Sequence, residues 1–585
     1  MSTDASPLPD RLISTSVLVI GTGGAGLRAS IELAERGVQV LAVGKRRTHD
    51  AHTTLAAGGI NAALGTMDPE DSWQHHAADT LRESYLLADP AIVEQVARNA
   101  ARGIEDLERW GMPFAREADG RLSQRFFGAH TYRRTCYAGD YTGLEIQRTL
   151  MRRAAELSVP IIDTVYVTRL LVAGGTIFGA YGFDVVTGQG VQILADAVIL
   201  AAGGHTRIWR VTSSRRDENT GDSFRLAALA GARLRDAELV QFHPSGLLEP
   251  EDAAGTLVSE AARGEGGVLR NALGERFMER YDPQRLELST RDRVALANFT
   301  EIAEGRGTEH GGVLLDVSHL PREQILEKLP RVYRTLIDLQ MLDITESPIE
   351  VAPTAHYSMG GVWVRAEDHG TGVEGLFAIG EAASGLHGAN RLGGNSLIEL
   401  LVYGRITGEV AAEHAASRTR VDRDPEAVRE ARAEHAALLS GEGTEVPRRL
   451  QREVREVMTE HAGVVRSEEG LRAGIEKIAA LEERAGHVTA HPDVAGFDDL
   501  AHAFDLIKGS LLAARATLEC ALERRETRGC HNRSDFPEQD PALRGNMTWT
   551  PQGGAVFEPL PEIPAALREL VERPADDSPA GKLVE

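Results

Sequence analysis

The chain has 585 residues, of which 42% are hydrophobic and 26% charged, values that are ordinary for a folded globular protein. A single hydrophobic core does not grow to this size, so we expect about three to five domains. The formal charge of −23 comes from 64 basic and 87 acidic residues. Such a charge argues against nucleic acid or an anionic lipid surface as a direct partner.

Cysteine content and hydropathy exclude two further classes of site. Cys136, Cys520 and Cys530 are the three cysteines of the chain and include no C-x-x-C pair, so we expect no iron–sulfur cluster and no metal site within it. Residues 1–14 lack a basic start followed by an apolar stretch, and no run of about 18 apolar residues occurs. We therefore expect a cytoplasmic protein that does not itself span a membrane.

The first predicted elements are a strand, a glycine-rich turn and a helix. Residues 17–20 read VLVI, residues 21–26 read GTGGAG, and apolar residues then follow at helical spacing. A second strand over residues 38–43 completes a βαβ unit. The turn has the pattern G-x-G-x-x-G, which lets backbone N–H groups approach a pyrophosphate. Lys45 follows the second strand, where an acidic residue for a ribose hydroxyl is usual.

Two later strands indicate which dinucleotide binds. A β-rich stretch covers residues 166–198, and the buried strand over residues 197–204 ends in Ala-Ala-Gly-Gly. Another buried strand, residues 375–380, is followed by Glu381. Many two-domain flavoproteins have a strand that ends in Ala-x-Gly-Gly and a later one that ends in Gly-Asp or Gly-Glu. Because the chain has a single G-x-G-x-x-G, we expect no separate NAD(P)H site, and FAD is the predicted cofactor.

The predicted fold class is α/β. It has a Rossmann-like FAD-binding domain with an inserted α+β capping domain, then a helical domain and an irregular C-terminal segment with one short helix over residues 564–573. The predicted boundaries are 1–245 and 351–420 for the two parts of the FAD-binding domain, 246–350 for the capping domain, 421–535 for the helical domain and 536–585 for the C-terminal segment.

Six further motifs occur in a fixed order. They read AHTTLAAGG at 51–59, QFHPSG at 241–246, SEAARGEGG at 259–267, RD at 291–292, HYSMGG at 356–361 and HGANRLGGNS at 387–396. This set closely resembles the flavoprotein subunits of succinate dehydrogenase and fumarate reductase, with L-aspartate oxidase as a near relative. The likeness runs from Val17 to about Asp540 and includes RGCHNRSDFP at 528–537.

The resemblance implies that the chain interconverts succinate and fumarate by hydride transfer to or from FAD N5. Because this substrate has two carboxylates, cationic or hydrogen-bonding groups are needed at both of its ends. Family positions place His243 and Ser259 at one carboxylate, place His356 and Arg391 at the other, and assign the proton to Arg291 through Glu260 and Arg263. An arginine has an ordinary pKa above about 12, so a carboxylate must return its proton at once. The alternative interpretation of Glu260 and Arg263 is a structural ion pair.

The resemblance also implies a covalent bond between His52 and the flavin. Family members often have Ser-His-Thr and Gln-Gly-Gly where this chain has Ala-His-Thr at 51–53 and Ala-Gly-Gly at 57–59. The alternative is an ordinary histidine in a glycine-rich loop beside non-covalent FAD. The residues expected at FAD are Gly21, Gly23, Gly24, Ala25, Gly26, Lys45, His52, Thr53, Gly58, Gly59, Ala202, Gly203, Asp222, Glu381, Arg391, Ser396 and Leu397.

Two other functions remain open at this stage. An L-aspartate oxidase-like enzyme would work alone with non-covalent flavin, and His52 and the long region after residue 535 argue against it. A flavin-binding scaffold without turnover is disfavoured by the complete set of predicted substrate and proton-transfer residues. His130, His310 and His502 lie outside every motif and are predicted to be surface or loop residues.

The resemblance implies partners as well. Electrons would pass to a separate iron–sulfur subunit that docks over the flavin domain and then to quinone, with a membrane anchor subunit beyond. The chain would lie peripherally on the inner face of the cell membrane through those partners. We expect residues 528–536 and the helical region to form part of the docking surface.

Overall fold

The computed structural model describes residues 9–418, 422–441, 443–491 and 496–572. Its strands in these ranges are β1 (Arg11–Ser14), β2 (Val17–Ile20), β3 (Val40–Val43), β4 (Ile60–Asn61), β5 (Gln124–Arg125), β6 (Thr135–Cys136), β7 (Ile161–Ile162), β8 (Val165–Ala173), β9 (Thr176–Asp184), β10 (Gly190–Leu194), β11 (Ala197–Leu200), β12 (Leu234–Arg235), β13 (Val240–Leu247), β14 (Val268–Arg270), β15 (Val313–Asp316), β16 (Ile349–Ser358), β17 (Gly361–Val362), β18 (Leu376–Ala378), β19 (Val465–Arg466), β20 (Asn532–Arg533), β21 (Gly545–Thr550) and β22 (Gly554–Pro559).

The α-helices of the same ranges are α1 (Gly24–Glu35), α2 (Trp73–Glu83), α3 (Pro90–Arg109), α4 (Thr142–Glu156), α5 (Asp222–Leu229), α6 (Ala261–Gly264), α7 (Met278–Tyr281), α8 (Arg291–Glu301), α9 (Arg322–Lys328), α10 (Pro330–Gln340), α11 (Asn395–Ser417), α12 (Pro425–Ser440), α13 (Pro447–His461), α14 (Glu468–Ala485), α15 (Asp498–Phe504), α16 (Leu511–Glu523) and α17 (Ala565–Glu572). Short 3-10 helices cover Thr48–Asp50, His52–Leu55, Thr206–Ile208, Glu251–Ala253, Leu286–Leu288, Gly380–Ala382 and Pro541–Leu543, and π-helices cover Ile302–Arg306 and Asp505–Ser510.

A five-stranded parallel sheet with the order β18-β11-β2-β3-β7 holds the glycine-rich segments. All four residues of β2 are buried, as expected for a strand that is covered on both faces. Strand β2 leads into Gly21, β11 into residues 201–204 and β18 into Gly380. Because parallel strands have their carboxyl ends at one edge, these segments meet there, which is where ligands of such sheets bind.

Helices α1 and α11 pack closely beside this sheet. A Cβ atom at Gly404 would lie 2.7 Å from Arg28 Cβ, and one at Gly408 would lie 2.9 Å from Glu32 Cβ. Such distances leave no room for a side chain at either glycine, so the two helix backbones come close together. Both helices begin at the carboxyl edge of the sheet, where the positive ends of their dipoles favour an anion.

Residues 247–351 contribute a separate hydrophobic cluster over an antiparallel sheet with the order β13-β16-β15-β14. Strand β13 carries His243 and the neighbouring β16 carries His356. The register between these strands shifts twice, on either side of His243. Such bulges change the direction in which side chains point, and they are common beside active sites. This sheet faces the carboxyl edge of the parallel sheet across the cavity described below.

The C-terminal segment is more regular than its composition predicts. Strands β21 and β22 form a hairpin, and β21 pairs with β12 in a sheet with the order β17-β12-β21-β22. Trp549 of β21 is buried, and its Nε1 donates a hydrogen bond to Glu519 Oε2 at 2.6 Å. The predicted short helix is α17, and its predicted last residue, Arg573, lies outside the described residues. Pairing with a strand far back in the chain stabilises a hairpin that local composition does not reveal.

The prediction that residues 528–536 form a docking surface is wrong for most of that segment. Arg528 and Arg533 are buried and make internal ion pairs with Glu526 and Asp535, each at 2.8 Å. His531 is buried as well. Arg528 Nη1 also donates to the backbone oxygen of Tyr85 at 3.2 Å, and Arg533 Nη1 donates to that of Ala521 at 2.9 Å, so these side chains fix the segment to other parts of the chain. Across the described ranges, no helix has both the length and the apolar character that crossing a bilayer requires.

Candidate active site

A cavity of about 1620 Å³ lies between the carboxyl edge of the parallel sheet and the antiparallel sheet β13-β16-β15-β14, which we call the capping sheet. Every residue predicted to bind substrate or carry the proton lines it: His243, Ser259, Glu260, Arg263, Arg291, His356 and Arg391. The predicted FAD residues that line it are Gly21, Gly23, Gly24, Ala25, Lys45, His52, Thr53, Gly58, Gly59, Ala202, Gly203, Asp222, Glu381, Arg391, Ser396 and Leu397. Gly26 does not, because it packs behind the turn, where a Cβ atom would lie 1.9 Å from Gly21 O.

The glycine-rich turn fits a dinucleotide pyrophosphate. Gly21 has a φ of 114°, and a Cβ atom there would lie 2.1 Å from Ala201 O. Only glycine adopts this conformation without a clash. The N–H of Gly24 donates to Thr53 Oγ1 at 3.0 Å, so the loop of His52 is held against the first turn of α1. The turn therefore brings bare backbone and a helix N-terminus to the cavity, as a phosphate requires.

Lys45 occupies the position after β3 and is paired with an acid from elsewhere in the chain. Its Nζ lies 2.6 Å from Asp222 Oδ2. The hydroxyl of Tyr166 lies 3.0 Å from Asp222 Oδ1 and 2.5 Å from Asp505 Oδ1. Burial raises the pKa of Asp505 to about 7 despite the charge of Lys45. The helical region thus contributes a buried acid to the residues behind this end of the FAD site.

His52 is held by a buried carboxylate. Its Nδ1 lies 3.0 Å from Glu218 Oε2, and Arg215 Nε lies 3.1 Å from Glu218 Oε1. Burial acts to lower the pKa of His52, but the hydrogen bond and charge of Glu218 outweigh it and raise the pKa. The ring is therefore fixed through Nδ1, which leaves Nε2 as its second reactive atom.

The two predicted substrate histidines lie side by side. The ring centroids of His243 and His356 are 5.4 Å apart. Burial lowers the pKa of His243 far below its usual value, and the charges of Arg291 and Arg263 lower it further. Burial and the charge of Arg391 likewise lower the pKa of His356. Both rings are consequently neutral in the free protein.

The hydrogen bonds of His243 also fix where its proton lies. The N–H of Ser245 donates to His243 Nδ1 at 3.2 Å. A neutral imidazole whose Nδ1 accepts a bond carries its proton on Nε2. His243 therefore has a neutral N–H donor available to a carboxylate in the cavity.

Arg291, Glu260 and Arg263 form a row of alternating charge. Arg291 Nε donates to Glu260 Oε2 at 2.8 Å, whereas Glu260 Oε1 lies 3.7 Å from Arg263 Nη2. Burial acts to raise the pKa of Glu260, but Arg291 and then Arg263 lower it to about 2. Glu260 is thus ionised and bonded more closely to Arg291 than to the arginine of its own helical turn.

Arg391 lies beside Arg291 with few partners of its own. Its Nη1 donates to Ser396 Oγ and its Nη2 to Gln241 Oε1, each at 2.9 Å. Its guanidinium lies 4.5 Å from the centroid of the Tyr357 ring. Burial and the charge of Arg291 lower the pKa of Arg391 to about 10. Two cations therefore line one cavity that also contains neutral histidines.

Histidines outside the motifs are more buried than the sequence predicts. His310 is exposed, as predicted. His130 belongs to a loop but is 3% exposed and lines the cavity, and His502 lies buried on α15 with its Nδ1 3.0 Å from Gln451 Oε1. The aromatic and glycine residues just before His130 are the signal that could have located it near a site. The lining residues Glu83 and Tyr85 had no such signal.

Comparison with known proteins identifies the family. Residues 16–397 match the model described as FAD binding domain, and residues 451–556 match the one described as fumarate reductase flavoprotein C-term. One subunit of the fumarate reductase (CoM/CoB) of Methanothermobacter marburgensis is 43% identical over 543 residues, which are 92% of this chain and 98% of that protein. The chain belongs to the succinate dehydrogenase and fumarate reductase flavoprotein family.

Solved structures of this family share the fold. Mycobacterium smegmatis Sdh1 in complex with UQ1 has a TM-score of 0.87 and 37% identity, with 95% of this chain and 96% of that chain covered. E. coli quinol fumarate reductase FrdA has a TM-score of 0.88 and 32% identity, with 94% and 97% covered. These matches confirm the family resemblance predicted from the sequence. They also confirm the α/β fold, with its FAD-binding domain and helical C-terminal domain.

The burial of His130 predicts acid sensitivity. Burial lowers the pKa of His130 to about 3, whereas the unfolded chain has an ordinary value near 6.5. The stability that this neutral ring contributes is complete above pH 6.5 and is lost as the pH falls towards 3. At pH 5 the loss is about 2 kcal/mol. We expect His130→Gln to reduce the fall in melting temperature between pH 7 and pH 5.

His49→Gln is the matched control, because the side chain of His49 is 58% exposed. It should leave the fall in melting temperature close to that of the unmutated protein. An equal fall in His130→Gln and the unmutated protein would contradict the burial of His130.

Proposed function

We propose that the chain is the FAD-carrying subunit of an enzyme that interconverts succinate and fumarate. One observation carries this proposal: a buried cavity beside the FAD-binding edge contains Arg291 and Arg391, two neutral histidines and an acid–base row. Cations at a buried site favour an anionic ligand, because water screens their charge poorly there. The family relationship supports the same substrate.

The two ends of a dicarboxylate would meet different groups. Arg391 and His356 would hold one carboxylate, and the Nε2–H of His243 with Ser259 would hold the other. Arg391 offers a planar set of donors, which suits a carboxylate better than a single point charge does. Ser259 lines the cavity, and its Oγ accepts a bond from Ala261 N at 3.3 Å, so its hydroxyl proton is free to be donated.

The proton would move through Arg291. FAD, when bound, supplies a flavin that exchanges two electrons with the substrate. Arg291 would give a proton to the substrate carbon during reduction and take it during oxidation. Glu260 Oε2, 2.8 Å from Arg291 Nε, would restore the charge of the guanidinium at once, and Arg263 would connect Glu260 to the next donor. The low pKa of Glu260 means that it holds this proton only briefly.

Arg291→Ala tests this role. We expect FAD to remain bound while turnover falls at least about 10²–10⁴-fold, because a general acid and a positive charge are both removed. Arg291→Lys should recover only part of the lost turnover, since lysine lacks the planar set of donors. The measurements are succinate oxidation with an artificial dye, fumarate reduction by reduced viologen, and flavin content.

Arg270→Ala is the control, because its partly exposed side chain lies in the same capping sheet. It should keep near-normal turnover. Normal turnover in Arg291→Ala would exclude the proton-transfer role, and no dicarboxylate turnover by the unmutated protein would exclude the proposed function.

We also propose that His52 is bonded covalently to the flavin. Glu218 holds the ring through Nδ1, which leaves Nε2 for the bond. Such a bond raises the flavin potential and so favours electron uptake from succinate. The alternative, L-aspartate oxidase-like activity with dissociable flavin, differs in this feature.

A denaturing gel decides between the two. The protein is purified from the organism that naturally produces it, denatured in acid and run on a gel. We expect flavin fluorescence to remain with the protein band. It should disappear in His52→Ser, which should still bind FAD but lose succinate oxidation. His49→Ser, which changes an exposed histidine close to His52 in the sequence, should keep the fluorescence. Release of all flavin from the unmutated protein, together with oxygen-linked oxidation of L-aspartate, would favour the alternative.

Electrons are proposed to leave through an iron–sulfur subunit to quinone, with the chain held peripherally at the membrane by its partners. The three cysteines of this chain are too few to hold a series of clusters. The relatives differ in the electron partner that their names indicate, since one name includes quinol and another CoM/CoB.

The isolated chain should therefore reduce an artificial dye with succinate but should not reduce a short-chain ubiquinone. The reason is that quinone reduction needs an electron path that this chain lacks. Activity of the complete complex with the same ubiquinone is the control. Efficient quinone reduction by the single chain would contradict a separate iron–sulfur partner. Activity of the complex with the CoM/CoB pair but not with ubiquinone would contradict quinone as the electron partner.

A further inference from the structure

Two arginines of the active site, the buried Arg391 and the partly buried Arg291, are connected to two carboxylates by a pair of side-chain amides. The amides belong to Gln241 and Asn390, neither of which was predicted to have a role. Gln241 is 0% exposed and Asn390 is 1% exposed. The six members of this hydrogen-bonded chain, which we call the amide chain, are Glu83, Asp292, Asn390, Gln241, Arg391 and Arg291.

The carboxylate end orients Asn390. Its Nδ2 donates to Glu83 Oε1 at 2.7 Å and to Asp292 Oδ1 at 3.0 Å. Tyr85 donates to the other oxygen of Asp292 at 2.6 Å. Burial and the charge of Asp292 raise the pKa of Glu83, yet its protonated form still has a carbonyl oxygen that accepts. Because these groups accept, the amide of Asn390 must turn its NH₂ towards them and its oxygen away.

That orientation determines the orientation of Gln241. The Nε2 of Gln241 donates to Asn390 Oδ1 at 2.8 Å and to the backbone oxygen of Arg391 at 3.2 Å. Its Oε1 consequently points towards the two arginines, where it accepts from Arg391 Nη2 at 2.9 Å and from Arg291 Nη1 at 3.4 Å. Guanidinium groups can only donate, so the order of donors and acceptors is fixed at both ends.

The shared oxygen of Gln241 acts against the repulsion between the two arginines. Like charges in a buried site repel each other strongly, and each needs an acceptor. Glu260 serves Arg291, but Arg391 has no carboxylate of its own among the described residues, and its Nε has no hydrogen-bond partner there. Without Gln241, Arg391 would lose one of its two side-chain acceptors and would be free to turn away from Arg291.

We propose that the amide chain positions Arg291 and Arg391 for the two ends of one dicarboxylate, with Gln241 and Asn390 as positioning residues. This inference rests on the proposed function, because the spacing of the arginines matters only when both act on one substrate.

Gln241→Met removes both acceptor and donor at nearly constant volume. We expect a loss of about ten- to hundredfold in kcat/KM for succinate, the usual effect of a lost hydrogen bond to a charged group. Both kcat and KM should change, since Arg291 and Arg391 are both displaced. Malonate is a dicarboxylate that cannot be oxidised here, because it has no CH₂–CH₂ unit between its carboxylates. By calorimetry it should bind the variant holoenzyme at least several-fold more weakly than the unmutated one. Gln451→Met, which removes a buried glutamine from the helical region, should change none of these values.

The double variant distinguishes a connected chain from two independent residues. Asn390→Ala alone should show a similar loss, because Gln241 then loses the acceptor that orients it. In Gln241→Met with Asn390→Ala the loss should be no greater than that of the larger single change. If the two losses in kcat/KM multiply instead, the amide chain is not a connected unit, and Gln241 and Asn390 have two separate structural roles.

The outcomes separate this inference from the proposed function. An unmutated holoenzyme that neither binds malonate nor turns over a dicarboxylate would overturn the function. If the unmutated holoenzyme does both, and Gln241→Met or Asn390→Ala matches it in malonate affinity and turnover, the inference alone is overturned. Melting temperature and flavin content identify variants that fail to fold, and Asn390→Asp then provides a milder change. It keeps the oxygen that faces Gln241, but it sets a carboxylate against Glu83 and Asp292, so malonate affinity should again fall.

Discussion

Repulsion between cations that share one cavity governs the active site. Arg263, Arg291 and Arg391 line one cavity of a chain whose formal charge is −23. Away from water, each guanidinium needs an acceptor. Glu260 lies within hydrogen-bond distance of Arg291 alone, and the oxygen of Gln241 is shared between Arg291 and Arg391. The positive charge that remains without a partner suits a ligand with two negative ends, so the same feature that costs stability provides affinity.

Two sheets bring the two halves of the chemistry together. The parallel sheet collects the glycine-rich turn, Lys45 and Glu381 at one edge, where a dinucleotide binds. The antiparallel capping sheet carries His243 and His356 on adjacent strands. Arg291 begins α8 of the capping region, whereas Arg391 precedes α11 of the FAD-binding region. A substrate between the two arginines would therefore contact both regions at once.

Burial separates the protonation states of neighbouring groups. It keeps His243 and His356 neutral, so they can donate without adding to the repulsion between arginines. Between two arginines, however, the pKa of Glu260 falls to about 2. Neutral donors and an ionised acceptor are thus held within one cavity, which a site exposed to water could not maintain.

The sequence by itself determined the family, the FAD-binding edge and the predicted substrate and proton-transfer residues that line the cavity, because short motifs encode their own local geometry. A glycine turn after a strand or a histidine at a fixed place in a strand needs only its neighbours to be recognised. Only the tertiary structure revealed the burial of His130, Arg528 and Arg533, the pairing of β21 with β12, and the contact of Asn390 with Glu83, 307 positions away. Contacts between distant residues depend on how the chain packs, and local patterns carry no record of them.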